Sequence, residues 1–219
     1  KTIFVVEASS YQLEYSKIFK SKYAAILNIS PDHIERHKTI KKYIKAKFKL
    51  LKNQLKGDLA FVKRNDKFIN NELKLCNLKV KVIKVNTKSK KKFFKKIKNK
   101  YFLNETNKEN LSFVYEISKK LNLNKKLLID TIENFKGLKY RQQIIYKKTY
   151  MTIVNDSKST SFSSSIGSLK SNPNIYWLLG GMYKKGDKFD LPRKYLPKIK
   201  AFIFGKNRGY FNSQLKGKV

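Results

Sequence analysis

Cysteine is nearly missing from this 219-residue chain: Cys76 stands alone, so no internal disulfide staples the fold. The first residues also lack the charged, apolar and small-residue succession of a secretory leader, so a reducing, cytoplasmic setting is expected. No apolar run comes near the roughly 20 residues that cross a bilayer, which excludes a membrane-spanning segment of that kind. Tyr176 to Leu179, running into Gly180, is among the longest. Acidic residues are scarce, 15 against 51 lysines and arginines, and only five of the 51 are arginine: Arg36, Arg64, Arg141, Arg193 and Arg208. Readers of grooves and phosphates favour the fixed fork of arginine. Alanine, glycine and proline are scarce too, whereas lysine, asparagine, isoleucine, phenylalanine and tyrosine abound, as an AT-rich coding sequence would produce. The net charge of +36 is therefore read as a compositional habit, and no nucleic-acid partner is expected. A basic RNA- or membrane-surface module remains the rival reading, motivated by KSKKKFFKKIKNKYF at residues 88–102. What the chain has in quantity, 41% apolar and 13% aromatic residues, fills real cores and excludes disorder as the main state.

Strands alternate with helices along the sequence. Ile3 to Val6, Ala24 to Ile29, Leu59 to Val62 and Val80 to Val85 read as buried strands. Asn107 to Leu121 and Lys125 to Asn134 read as amphipathic helices, as does Tyr43 to Leu51 after a break near Lys38. Ser9 and Gln12 are spaced as a capping box, and Ser30, Pro31 and Asp32 read as a helix start. The pattern breaks at Phe135 to Leu138 and a second series follows: a strand at Thr149 to Val154, a helix near Phe162 to Leu169, and strands at Ile175 to Leu179 and Ala201 to Phe204. Asn212 to Val219 show no closing element. The fold expected is α/β, a mostly parallel sheet with helices on both faces and then a second α/β unit, with a boundary near Gly137 to Arg141. The chain opens directly on an apolar run without methionine, so it is expected to begin inside a domain.

Five tracts carry groups suited to chemistry. In EASSYQLE, Glu7 arrives where a strand ends, the place where open α/β sheets put their ligands; a strand end with a capped helix explains the same letters. NISPDHIERH holds both histidines, His33 and His37, four apart. A zincin pair is excluded, because Ile34 stands where glutamate is needed and Glu35 lies two residues on from His33, about 200° around the helix. A single metal- or substrate-contacting His33 beside a carboxylate and a plain surface histidine both stay open. YIKAKFKLL carries Lys45, Lys47 and Lys49. NDSKSTS at residues 155–161 combines a carboxylate, a cation and hydroxyls in a loop, or forms an Asx or Ser/Thr turn. LLGGMYKKGDKFDL places two glycines after a strand, where a ligand can approach the backbone, ahead of Lys184 and Lys185. No stretch matches GxxxxGK[ST].

Together and in this order the tracts resemble the Mur ligases. EASSYQLE is similar to the family's ELSSFQLE, NISPDHIERH to LNITPDHLDRH, and YIKAK to YxxAK. FKGLKYRQQ is similar to FxGLxHRxE, NDSKSTS to NDSKATN, and the glycine tract to the family's LLGG segment. NDSKSTS is the discriminating match, pointing to the branch that joins D-glutamate to UDP-N-acetylmuramoyl-L-alanine.

The resemblance implies ATP-dependent amide synthesis in peptidoglycan formation by a cytoplasmic monomer, with ATP and Mg²⁺. It implies a central ATP-binding domain over residues 1–139 and a truncated Rossmann-like ligase domain over 140–219. It assigns Glu7, His33 and a CO2-carboxylated Lys47 to magnesium, and Gln12 to the muramoyl substrate. Asn107, Asn110 and Arg141 are assigned to adenine and Asp156 to ribose. Lys158, Thr160 and Lys184 are assigned to phosphate or the D-glutamate carboxylates, with Lys185 as the alternative to Lys184. Asn104, Thr106 and Tyr140 depart from the family pattern, which shows glycine and histidine at the first two and histidine at the third. The resemblance further implies a uridine-nucleotide domain and a phosphate loop before residue 1 and more of the ligase domain after residue 219. The fragment alone is therefore expected not to turn over. Another amide ligase of the superfamily is the nearer alternative.

Overall fold

The computed structural model describes residues 2–184 and 186–219. In chain order its elements are α1 (Ser10–Tyr15), β1 (Tyr23–Ile26), α2 (Ile34–His37), α3 (Ile40–Lys52), β2 (Leu59–Lys63), α4 (Lys67–Leu75), β3 (Lys81–Val85), α5 (Lys91–Phe94), α6 (Glu105–Lys120) and α7 (Lys125–Glu133). Then come β4 (Gln143–Lys147), β5 (Thr152–Asn155), α8 (Phe162–Ser171), β6 (Ile175–Gly180), β7 (Ile199–Phe204) and α9 (Arg208–Leu215). The chain divides into two compact units, residues 1–95 with 109–125 and residues 96–108 with 126–219. Among the described residues no helix is long and apolar enough to cross a membrane.

In the first unit β1, β2 and β3 pair in parallel in that order. β2 is the middle strand, and its Ala60, Phe61 and Val62 are fully buried. Alternation along the strand divides them between two layers. Ala60 and Val62 join Tyr43, Phe48 and Leu51 of α3 and Ile69 of α4. Phe61 joins Val85 and Phe113 of α6 on the opposite face. α3 forms because Thr39 caps it, its hydroxyl accepting from the Lys42 N–H at 3.2 Å, and because Ile44, Phe48 and Leu51 fall on one stripe.

In the second unit β4 and β5 form an antiparallel hairpin, and β6 and β7 pair in parallel. Phe162 and Leu169 of α8 and Phe211 and Leu215 of α9 pack with Leu179 and Ile199, with Trp177, Ala201 and Ile203 at the margin. The alternate residues Tyr176, Leu178, Phe202 and Phe204 are between 52% and 70% exposed. Among the described residues, helices therefore cover one face of this sheet.

Other expectations differ locally. Residues 3–6 form no strand, and their side chains are 60% to 96% exposed. No described strand pairs with them, and an apolar run without a ladder partner keeps its backbone groups in water. Ser30 caps no helix: α2 begins at Ile34, with His33 before it in the left-handed region at φ 54°, ψ 32°. Asp32 turns its carboxylate onto the His33 N–H at 2.9 Å, a local bond that competes with a helical start. The break at Lys38 is present, at φ 65°. β4, α4 and α5 were not anticipated, and the strand expected from Thr149 begins at Thr152. α9 closes the segment expected to trail off, because Phe211 and Leu215, one turn apart, bury against the second core.

Candidate functional site

In the first unit a polar cluster forms where α1, the α2 turn and α3 meet. The capping box at α1 is complete: Ser9 Oγ accepts from the Gln12 N–H at 3.2 Å and Gln12 Oε1 from the Ser9 N–H at 2.8 Å. The side-chain oxygen of Gln12 is thus engaged within its own helix. One residue earlier, the Tyr11 hydroxyl lies 2.9 Å from His33 Nδ1. The other edge of that imidazole, Nε2, is 3.5 Å from Asp32 Oδ2. The His37 side chain is fully buried. Its Nε2 meets Ser10 Oγ at 3.0 Å, and its ring stacks on Tyr11 at 5.7 Å and leans on Tyr43 at 5.4 Å. Lys47 projects one turn beyond Tyr43, its ammonium 5.4 Å from the ring centroid.

Electrostatics single out two groups here. Burial pushes the Lys47 amine below the ordinary lysine range, and the negative charges of Asp32 and Glu7 oppose that shift in part. Burial pushes the Tyr43 hydroxyl up to about 12, helped by Asp32 and Tyr11, so it stays a neutral donor at physiological pH. Glu7, on an exposed segment, thus acts on the half-buried Lys47 across 40 positions of sequence, and the half-buried His33 shares the Tyr43 ring with Lys47, at 6.4 Å between ring centroids. Among the described residues no three His, Cys, Asp or Glu side chains group tightly enough to hold a metal ion.

In the second unit Arg141 sits in a tight turn between Tyr140 and Gln142, both at positive φ, 64° and 48°. The turn is tied to NDSKSTS twice: the Gln142 N–H donates to Asp156 Oδ1 at 3.0 Å and the Lys158 N–H to the Tyr140 carbonyl at 3.0 Å. Asp156 Oδ2 also accepts from the hydroxyls of Ser159 and Ser168, each at 2.9 Å. Three of its roughly four acceptor positions are thereby used. Lys158 and Thr160 are exposed, and Ser161 caps α8. Asn107 is buried, its amide donating to the Tyr101 carbonyl at 2.7 Å, while Asn110 on α6 is exposed. Arg141 and Asp156 both act electrostatically on the Tyr101 hydroxyl, which burial raises above its ordinary range.

The two glycines after β6 answer to different constraints. A Cβ on Gly180 would stand 2.6 Å from the Phe204 carbonyl oxygen, so glycine there admits the neighbouring strand rather than a ligand. Gly181, at φ 107°, turns the chain. The loop beyond it is held by Asn207, whose amide donates to the Gly181 carbonyl at 2.9 Å, and by Asp187, whose carboxylate accepts from the Phe162 N–H at 2.7 Å. Lys184 is half-buried in this loop, and Lys185 lies outside the described residues. Asp32, Tyr11 and Tyr43 are the neighbours that sequence reasoning did not single out; the unnamed carboxylate beside His33 was the one available signal.

The Mur ligase middle domain matches residues 1–166. The chain is 30% identical over 97% of its length to the UDP-N-acetylmuramoylalanine–D-glutamate ligase of Rickettsia bellii. It is 33% identical, again over 97% of its length, to the enzyme of that name from Francisella tularensis subsp. novicida. It spans about half the length of these curated relatives, 52% and 50%. Among solved structures it is similar to the UDP-N-acetylmuramate–alanine ligase MurC of Thermotoga maritima, with a TM-score of 0.61 at 16% identity over 96% of this chain and 52% of that one. It is similar as well to the MurF ligase of the same organism in complex with ADP, with a TM-score of 0.64 at 12% identity over 93% and 53%. At such identities these two support the fold alone.

Proposed function

The chain belongs to the Mur ligase family through its middle domain, and from that premise we propose that it is part of an enzyme that joins D-glutamate to UDP-N-acetylmuramoyl-L-alanine at the expense of ATP. In that reaction the muramoyl-alanine carboxylate takes the γ-phosphoryl group as an acyl phosphate, and the D-glutamate amine displaces phosphate to leave the amide. Residues 1–139 contribute to the ATP-binding domain and 140–219 to the ligase domain. The likeness in sequence to D-glutamate ligases across nearly the whole chain supports the choice of amino acid.

One observation carries the chemistry: Lys47 is a half-buried lysine whose amine is held below its ordinary range beside two carboxylates. A neutral amine adds to CO2, and the carbamate formed after proton loss is an anion where a cation stood. Carboxylation of Lys47 would supply the further donor that Glu7 and His33 lack, and the cluster fits magnesium on that condition. Bound there, magnesium would neutralise phosphate charge during transfer. Asp32 holds the His33 backbone, and the Tyr43 ring lies 5.4 Å from the Lys47 ammonium. In the second unit Arg141 offers a guanidinium face for adenine, with Asn107 as a further adenine contact in this reading. Asp156 keeps one acceptor position for a ribose hydroxyl while fixing the Arg141 turn. Lys158, Thr160 and Lys184 meet phosphate and the D-glutamate carboxylates, and Gln12 lies against the muramoyl group.

In the complete ligase, ATP turnover should require D-glutamate and fail with L-glutamate, L-lysine or meso-diaminopimelate; a different preference would move the chain to another branch. Lys47→Ala should abolish turnover, and a short carboxylic acid should restore part of it. Undiminished activity in that variant would remove the carbamate.

A further inference from the structure

We propose that the Tyr11 hydroxyl is a positioning group for His33, selecting the ring nitrogen that the imidazole presents to a cation. This rests on reading His33 as a magnesium ligand. The Tyr11 hydroxyl meets His33 Nδ1 at 2.9 Å across 22 residues of sequence, with the rings edge-on at 4.9 Å and 62°.

His33 is constrained from several sides. Its backbone occupies the left-handed region, which is strained for a residue other than glycine. The Asp32 carboxylate accepts from its N–H at 2.9 Å and approaches Nε2 at 3.5 Å. Tyr11 is itself fixed from the interior, stacked on the fully buried His37, which in turn meets Ser10.

A hydroxyl suits this task because it both donates and accepts. While Nδ1 is unprotonated, Tyr11 donates to it. When Nε2 gives its lone pair to a cation, the proton resides on Nδ1 and the Tyr11 oxygen accepts it. Partners of this kind orient metal-binding histidines, and losing one typically weakens the metal by about 10- to 100-fold.

The chain has two histidines, so imidazole ¹⁵N spectra of the metal-free protein report His33 and His37 alone. At about pH 9, where histidine is ordinarily neutral, Tyr11→Phe should move the His33 Nδ1 resonance and mix its tautomers. His37 should stay in place, showing that the fold is kept. Identical His33 spectra in the two proteins would overturn the proposal. In the complete ligase, half-saturating magnesium should rise by about tenfold or more in Tyr11→Phe. No rise in that variant, with a rise in His33→Ala, would likewise overturn it. If His33→Ala leaves the magnesium requirement unchanged, the ligand reading itself fails, and a His33 shift in the spectra then reports a hydrogen bond without that role.

Discussion

β2 and β6 are both short apolar strands in parallel ladders, LAFVK and IYWLLG. The three central residues of β2 are fully buried, whereas β6 alternates between covered and open positions. The difference lies in the cover: α3 and α4 pack on one side of the first sheet and α6 on the other, while α8 and α9 pack on a single side of the second. An apolar strand shows that a sheet exists; the helices around it determine how many of its faces are dry. The candidate sites follow the same division. Lys47, Tyr43 and His33 stand on or beside α3, a helix anchored in a two-sided core, whereas the second unit holds its loops through Asp156 and Asp187, whose carboxylates accept backbone N–H groups. Burial and hydrogen bonds together order the first cluster, whereas the second rests mainly on hydrogen bonds.

The largest expected effect tests the two-sided core. Phe61→Ala removes the central ring of the layer under α6 and should cost about 3–5 kcal/mol, read from urea unfolding followed by circular dichroism. A loss below about 1 kcal/mol would mean that this layer is loosely packed. Next come two helix-capping carboxylates, one in each unit. Asp66 accepts from the N–H groups of Ile69 at 3.0 Å and Ile29 at 2.9 Å in a buried setting. Asp66→Ala should cost about 2–3 kcal/mol, because two buried donors lose a charged partner. Asp187→Ala frees one N–H, that of Phe162, in a half-buried place and should cost about 1 kcal/mol. Trp177, the one tryptophan, lies 6.2 Å from Phe162 and 5.8 Å from Phe189, so its fluorescence follows the second substitution. If Asp187 proved the more costly of the two, the contrast between units would be reversed.

Much of this was legible where local chemistry decides. The Ser9–Gln12 capping box, β2, β3, α6, α7 and α8 follow from spacing within a dozen residues. Residues 3–6 have the letters of a strand and lack a partner, which no local pattern reveals. The left-handed turn at His33 depends on Asp32 taking its N–H, where the proline and acid suggested a helical start. α9 was masked by glycine and polar residues around Phe211 and Leu215. At the site, the motifs marked Glu7, His33 and Lys47 through resemblance. Asp32 stood beside His33 in the sequence, but Tyr11 became visible as a neighbour only when segments more than 20 residues apart packed together. The glycine pair was read as room for a ligand, but the reason for Gly180 is the Phe204 carbonyl on a strand more than 20 positions away.

The smallest expected effect bears on the open face of the second sheet. Leu178 is 70% exposed between Tyr176 and Gly180 on β6, with Phe202 and Phe204 across the ladder. A side chain that stays in water in the folded state loses little when it becomes charged, and β6 is held by its ladder and by the residues on its other face. Leu178→Lys should therefore change the stability of this chain by less than about 0.5 kcal/mol, read from Trp177 fluorescence in urea. Leu179→Lys, one residue on and buried in the core, should prevent that unit from folding, because a lysine head group there has no partner. Should Leu178→Lys cost 2 kcal/mol or more, roughly what a buried leucine contributes, then the face is dry in solution and the asymmetry between the two sheets disappears.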